Sequence, residues 1–113
     1  MIVKRNWKET PIKENAQNVD GRDLYNGEHA QIVHLMMQPG DSLLPHKTPV
    51  DVAFYVLEGR GTVEIGGETE EAGEGTLIES PKMITHCWHN TGTGPLRILV
   101  IKVPHPMKKT HIL

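Results

Sequence analysis

Residues 39–61 read PGDSLLPHKTPVDVAFYVLEGRG, and this segment gives the strongest indication of the architecture. A Pro-Gly turn opens it, His46 lies in a loop between prolines, and a pair of glycines closes it. Between the turns, residues 52–57 are rich in β-branched and aromatic side chains, which favours a strand. Alternate residues of a strand point to opposite faces, and here both faces are apolar. Such a strand needs cover on both sides, which predicts a closed or layered sheet.

The chain on either side of this segment repeats the pattern of short β-rich runs between turns. Strands are predicted at residues 2–7, 30–37, 62–65, 68–71, 76–80, 85–90 and 96–103. The dipeptides Asn26-Gly27 and Gly66-Gly67 read as hairpin turns, and Asp20-Gly21 as a further turn. No window shows a helical period. The sequence therefore predicts an all-β fold of about eight or nine antiparallel strands, in a jelly roll or small barrel.

Two groups of residues resemble the signature motifs of the cupin superfamily. Gly40, His46 and Gly59 have the spacing of the first motif, with five residues between Gly40 and His46. Gly75, Pro81, His86 and Asn90 have the spacing of the second, within GTLIESPKMITHCWHN. The resemblance extends over roughly residues 31–103 and implies a small cupin, a double-stranded β-helix barrel that is commonly a homodimer.

Three positions depart from those motifs. Thr48 stands where the first motif has its second His, Val52 where it has Glu, and Met83 where the second motif has Gly. In metal-binding cupins two His and the Glu of the first motif join the His of the second around one ion. The resemblance therefore leaves His46 and His86 as metal ligands, with nickel, zinc, iron, manganese and copper all open. A lasting site normally has three protein ligands, and His34 or Asp51 is the candidate third.

The same resemblance and the strand alternation suggest which side chains enclose a ligand pocket. Trp88 has the same strand parity as His86, and Thr48 follows His46 by two residues. The pocket is expected to be lined by His34, Met36, Thr48, Phe54, Val56 and Trp88. For His34, Phe54 and Val56, ordinary packing in the core or at an interface is the alternative.

Length and charge limit the classes of function. The 113 residues suit one domain, with a barrel core at about 31–103 and a C-terminal tail at 104–113. With 12 Lys and Arg against 14 Asp and Glu and no basic cluster, nucleic acid is not an expected partner. No apolar run is long enough for a membrane span. A single cysteine, Cys87, fits a reducing compartment, so we expect a cytoplasmic protein.

Three functions remain open at this stage. The barrel binds a small polar metabolite through a divalent metal at His46 and His86, for dioxygenase, decarboxylase or isomerase chemistry. Alternatively it binds or senses a metabolite without metal, or the imidazole pair transfers protons in an isomerase or epimerase. The third possibility is a dimeric accessory protein with a filled barrel. The strands 52–57 and 96–103 are apolar on both faces, which independently predicts a second copy packed sheet to sheet.

Overall fold

The computed structural model describes residues 1–15, 17, 19–106 and the backbone of 111–112. These residues contain ten strands and one short 3-10 turn, Trp7–Glu9. In chain order the strands are β1 (Asp20–Asn26), β2 (Gln31–Met37), β3 (His46–Lys47), β4 (Asp51–Glu58), β5 (Arg60–Ile65), β6 (Glu68–Gly73), β7 (Leu77–Ser80), β8 (His86–His89), β9 (Leu96–Val103) and β10 (His111–Ile112). The prediction of an all-β chain is confirmed.

The strands form two five-stranded sheets, in which every pairing is antiparallel. The first sheet has the order β1-β2-β9-β4-β7, and the second has the order β10-β3-β8-β5-β6. Strands distant in the chain are neighbours, because β9 returns to lie between β2 and β4. This is the double-stranded β-helix that the motifs implied.

The space between the two sheets is packed at one end. The side chains of Val56, Trp88, Leu96 and Ile98 have no measurable exposure there, and Met37 has 1%. Their burial removes apolar surface from water, at roughly 25 cal/mol per Å², which is the main stabilisation available to a two-sheet fold. Toward the other end of the same strands polar side chains join the apolar ones at the inward positions, and they line a cavity.

A tight approach of backbone segments closes the turn between β4 and β5. Gly59 has φ +85°, and a Cβ at this position would overlap the carbonyl oxygen of Pro95. Only glycine avoids both the strain of this φ and the overlap. Met83 has φ +61° in the turn before β8, the only non-glycine residue with positive φ in the described part of the chain. It therefore keeps the left-handed backbone at the position where the motif has glycine.

Two details of the N-terminal region differ from the sequence-based expectation. The segment 2–7 does not form a strand, and Asn6 instead caps the 3-10 turn by accepting a hydrogen bond from the Lys8 amide at 2.9 Å. Asp20 and Gly21 begin β1 and are not a turn, because they pair with Met36 and Leu35 of β2. Long-range pairing has overridden the local turn preference of this dipeptide.

No helix among the described residues has the length and apolar character that crossing a membrane would need.

Candidate functional site

Two imidazoles lie side by side at the open end of the barrel. His46 in β3 and His86 in β8 are direct cross-strand partners. Their ring centroids are 4.5 Å apart, and the ring planes meet at 81°. Phe54, from the first sheet, packs edge-on against His86 at 5.1 Å between centroids. The pair therefore lies between the two sheets.

Hydrogen bonds fix both rings. Nδ1 of His46 lies 2.8 Å from the carbonyl oxygen of Leu44, which can only accept, and 3.1 Å from Nε2 of Gln17, which can only donate. The shorter contact assigns the proton to Nδ1, which then donates to Leu44. This assignment leaves Nε2 of His46 with its lone pair. Nδ1 of His86 lies 2.7 Å from Oγ of Ser80, and its Nε2 lies 3.4 Å from Oγ1 of Thr48.

Both imidazoles are held in the neutral form near pH 7. Burial, followed by the nearby His46 and Lys102, lowers the pKa of His86 to about 4. Burial also lowers the pKa of His46, and Lys102 adds to this effect, while the bond to Leu44 opposes it. Neutral imidazoles can accept a proton or a hydrogen bond, which protonated ones cannot.

The cavity that contains the pair has a volume of about 610 Å³. Cavities of this size hold small organic ligands. Its polar lining side chains are Lys13, Glu14, Asn15, Gln17, Asp23, Asn26, Gln31, His46, Thr48, His86, Lys102 and His105. Its apolar lining side chains include Val19, Val33, Leu35, Leu43, Phe54 and Val100. The cavity therefore offers both apolar surface and polar groups to a ligand, as many metabolite sites do.

Lys102 is the charged group that β9 contributes to this cavity. It follows Leu96, Ile98 and Val100 on the inward face of the strand. Burial lowers the pKa of Lys102; the nearby Lys13 lowers it further, and Asp23 raises it. Asp23 itself pairs with Lys13 at 3.1 Å, whereas the described residues place no carboxylate within ion-pair distance of Lys102.

The comparison with protein families agrees with this architecture. The family described as Cupin domain matches residues 33–102, more than half of the chain. The chain belongs to the cupin family. The match begins within β2 and ends at Lys102, so it contains both imidazoles.

Two known proteins illustrate what this cupin resembles, one in sequence and fold and the other in fold alone. An uncharacterised protein of Methanocaldococcus jannaschii, MJ0764, is 27% identical over 98 residues, 86% of this chain and 84% of the relative. Its crystal structure has a TM-score of 0.76 and covers 94% of both chains at 25% identity. The polyketide cyclase RemF of Streptomyces resistomycificus has a TM-score of 0.85 at 20% identity, over 100% of this chain and 86% of that one. At that identity the likeness shows the fold alone.

The cupin cavity contains some of the predicted lining residues and excludes others. Thr48 and Phe54 line it, together with His46 and His86. Val56 and Trp88 instead belong to the packed end of the barrel, where Trp88 meets Phe54 at 5.7 Å between ring centroids. Both point between the sheets, but each lies two residues beyond a cavity-lining residue of its own strand, Phe54 or His86. Neither therefore reaches the cavity.

His34 and Met36 do not line the cavity as predicted, because they lie on the opposite face of the first sheet. In β2 the cavity receives Gln31, Val33 and Leu35, so the alternate residues point outward. His34 is nevertheless fully buried, because Trp7 stacks on it with centroids 4.3 Å apart and planes 11° apart. Burial, followed by Arg97, lowers the pKa of His34 to about 4. The 3-10 turn thus acts as a cover that strand periodicity could not reveal.

The donor atoms around His46 and His86 do not fit a resident divalent metal. Thr48 and Val52 replace two motif ligands, and Asp51 is exposed and accepts a hydrogen bond from the Lys82 amide at 2.9 Å. With His34 on the other face, no third histidine, cysteine or carboxylate among the described residues forms a metal-ligand group with His46 and His86, where three protein ligands are normal. The ammonium group of Lys102 also disfavours a second cation.

Sequence reasoning missed two features of this cupin. Lys102 could have been noticed, because it is the charged residue at inward parity in the apolar run 96–103. The second feature is a group formed by Glu64, Cys87 and His89, whose ligand atoms all lie within 4.8 Å of one another. Only the pairing of β5 with β8 brings Glu64 beside Cys87.

Proposed function

We propose that the cavity of this cupin binds a small organic anion without a metal, with Lys102 as its charge partner. The observation that carries the proposal is the partly buried Lys102 side chain in a cavity of about 610 Å³, with no ion-pair partner among the described residues. A buried charge is costly unless something compensates it. A carboxylate ligand would supply the compensation and a charge-assisted hydrogen bond.

The position of Lys102 strengthens this argument. Its cross-strand partner in β4 is Val52, the residue that replaces the motif's Glu. The chain therefore lacks the carboxylate that would help to hold a metal and has a fixed cation on the adjacent strand. A fixed ammonium group can attract the same oxygen anions that a metal would attract, with no ion to be acquired.

The two imidazoles provide neutral polar contacts beside the cation. Nε2 of His46 keeps a lone pair, because Nδ1 donates to Leu44. His86 and Thr48 form a buried polar pair at 3.4 Å on the same side of the cavity. The apolar wall of Val33, Leu35 and Phe54 suits a short carbon skeleton. A small hydroxy, keto or unsaturated acid fits this chemistry.

Proton transfer on such an acid is a second candidate function. The observation that favours it is Nε2 of His46, which has no hydrogen-bond partner among the described residues; the lowered pKa of this imidazole keeps it unprotonated and able to act as a base. It would take a proton from carbon next to the ligand's carboxylate or carbonyl, and Lys102 would stabilise the resulting negative charge. Returning the proton to another carbon would complete an isomerisation, with no change in oxidation state.

Ligand stabilisation tests the first proposal. Tag-free protein is screened by thermal unfolding against short carboxylic acids, with their amides as uncharged controls, and the best acid is then titrated by calorimetry. Lys102→Gln should weaken binding by about 10- to 100-fold, the value of one hydrogen bond to a charged group. The exposed Lys82→Gln removes the same charge outside the cavity and should leave affinity unchanged. Equal stabilisation by acids and amides would contradict the proposal.

We also propose that the protein is a homodimer joined through the outer face of the first sheet. Tyr55, Leu99 and Ile101 are only partly buried there. Leu77 and Val103, on the same face, are 55% and 53% exposed. A second copy packed sheet against sheet would cover these residues, as in other stacked β-sheets.

A further inference from the structure

A second cluster of reactive side chains lies on the face of the second sheet that points away from the cavity. Sγ of Cys87 is 3.0 Å from Oε2 of Glu64, and Nε2 of His89 is 2.9 Å from the same oxygen. Sγ of Cys87 is 3.6 Å from Nε2 of His89. A thiol, a carboxylate and an imidazole thus direct their ligand atoms at one point.

These separations approach those of three ligands around one tetrahedral zinc ion. Bonds of about 2.3 Å to sulfur and about 2.1 Å to nitrogen and oxygen place sulfur and nitrogen about 3.6 Å apart. The observed separation of Sγ from Nε2 is also 3.6 Å. The two separations that involve Glu64 need to open by about 0.5 Å, which a side chain that is 45% exposed can provide.

The balance of charge also suits a divalent ion. Thiolate, carboxylate and neutral imidazole together carry two negative charges, so a bound zinc ion gives a neutral complex. Neutrality matters because Cys87 is only 1% exposed. The thiol must release its proton to solvent when the metal binds, and the ion replaces it as the positive partner of sulfur.

We propose that Glu64, Cys87 and His89 form a zinc-binding site, separate from the cavity and open to solvent at its fourth position. The side chains of His89 and Glu64 are 34% and 45% exposed, which gives the ion a path of entry and leaves room for a water ligand. Three protein ligands with an open fourth position is the arrangement of zinc sites that bind exchangeable ligands.

A neighbouring residue already orients the histidine. Nδ1 of His89 lies 2.8 Å from Oγ of Ser42, which forms an isolated β-bridge with His89. With the metal on Nε2, Nδ1 carries the proton and donates it to Ser42. Such a supporting bond fixes the ring and its tautomer, and its loss typically lowers metal affinity by about 10- to 100-fold.

Cobalt substitution gives a direct test. Tag-free, reduced protein is titrated with Co²⁺, and the expected spectrum combines the visible bands of a tetrahedral ion with a thiolate charge-transfer band in the near ultraviolet. The spectrum should saturate at about one equivalent and disappear when Zn²⁺ is added. Ser42→Ala should weaken binding by about 10- to 100-fold.

Variants distinguish this site from the cavity. Glu64→Gln and His89→Gln change partly exposed side chains and should each weaken Co²⁺ binding by at least about 10-fold, with folding checked by circular dichroism. Cys87→Ser should remove the charge-transfer band. His46→Gln, in the cavity, should leave the spectrum unchanged. The proposal is overturned if no thiolate band forms, if the cobalt affinity is unchanged in Glu64→Gln and His89→Gln, or if His46→Gln removes the band.

Discussion

Replacing His86 should change how the stability of the protein depends on pH. The pKa of this imidazole is about 4 in the folded protein, lowered first by burial, against 6.5 for the free side chain. Between these two values the unfolded chain binds a proton that the folded chain does not. Stability therefore falls as the pH drops from 6.5 toward 4, and this loss is absent in His86→Gln.

The size of the effect follows from the two pKa values. At pH 7.5 the contribution is close to zero, because His86 is neutral in both states. At pH 5 the unfolded side chain is mostly protonated, and the folded protein is disfavoured by about 2 kcal/mol. The wild type should therefore lose about 2 kcal/mol more than His86→Gln over this interval. Contributions from carboxylates cancel in the comparison.

Urea unfolding of both proteins at pH 7.5 and pH 5 measures this difference. Any constant cost of losing the bonds to Ser80 and Thr48 appears at both pH values and drops out. His34→Gln repeats the test on the opposite face, since the pKa of His34 is also about 4. If His86→Gln and the wild type lose equal stability between the two pH values, the imidazole of His86 is not buried in its neutral form, and it does not line the cavity as a neutral group.

Three further predictions concern the frame around the site. Met83→Gly should be more stable than Met83→Ala by about 1 kcal/mol in urea unfolding, because φ +61° suits glycine. At Lys82, the matched control position, the alanine variant should be the more stable of the two. A higher stability for Met83→Ala would show that the backbone at residue 83 is not strained. Trp7→Ala should cost about 2 kcal/mol and raise the His34 pKa toward 6.5 in an NMR titration, whereas an unshifted pKa would show that Trp7 is not its cover. Light scattering should give the mass of a dimer for the wild type and of a monomer for Ile101→Glu; a monomeric wild type would refute the proposed interface.

Much of the fold was predictable because its signals are local. The strand at 96–103 matches β9, and Gly66-Gly67 joins β5 to β6 as a two-residue turn. Alternation with period two and turn-forming glycines depend only on neighbouring residues, so a sequence displays them directly. The motif spacing added what local patterns lack, namely that His46 and His86 approach each other across forty positions.

The rest of the site depends on contacts that no local pattern encodes. In a strand that is apolar on both faces, alternation alone does not indicate which face is inside, and the prediction therefore places His34 on the wrong face. Its burial comes from Trp7, a residue 27 positions earlier. Glu64 joins Cys87 and His89 only through the register of β5 on β8. Lys102 lies near the end of an apolar strand, where a lysine commonly marks only the boundary of the strand. Its role becomes visible only with the cavity.

The protonation of Lys102 gives the most direct test of the proposed anion site. NMR of the lysine side-chain carbons next to nitrogen, assigned with Lys102→Gln, follows its titration in the free protein and with the best carboxylic acid bound. The free pKa should lie below the usual 10.5, because burial and Lys13 lower it, and a bound carboxylate should raise it. A Lys102 pKa that stays constant while the acid saturates the protein would place the ligand elsewhere and contradict the account.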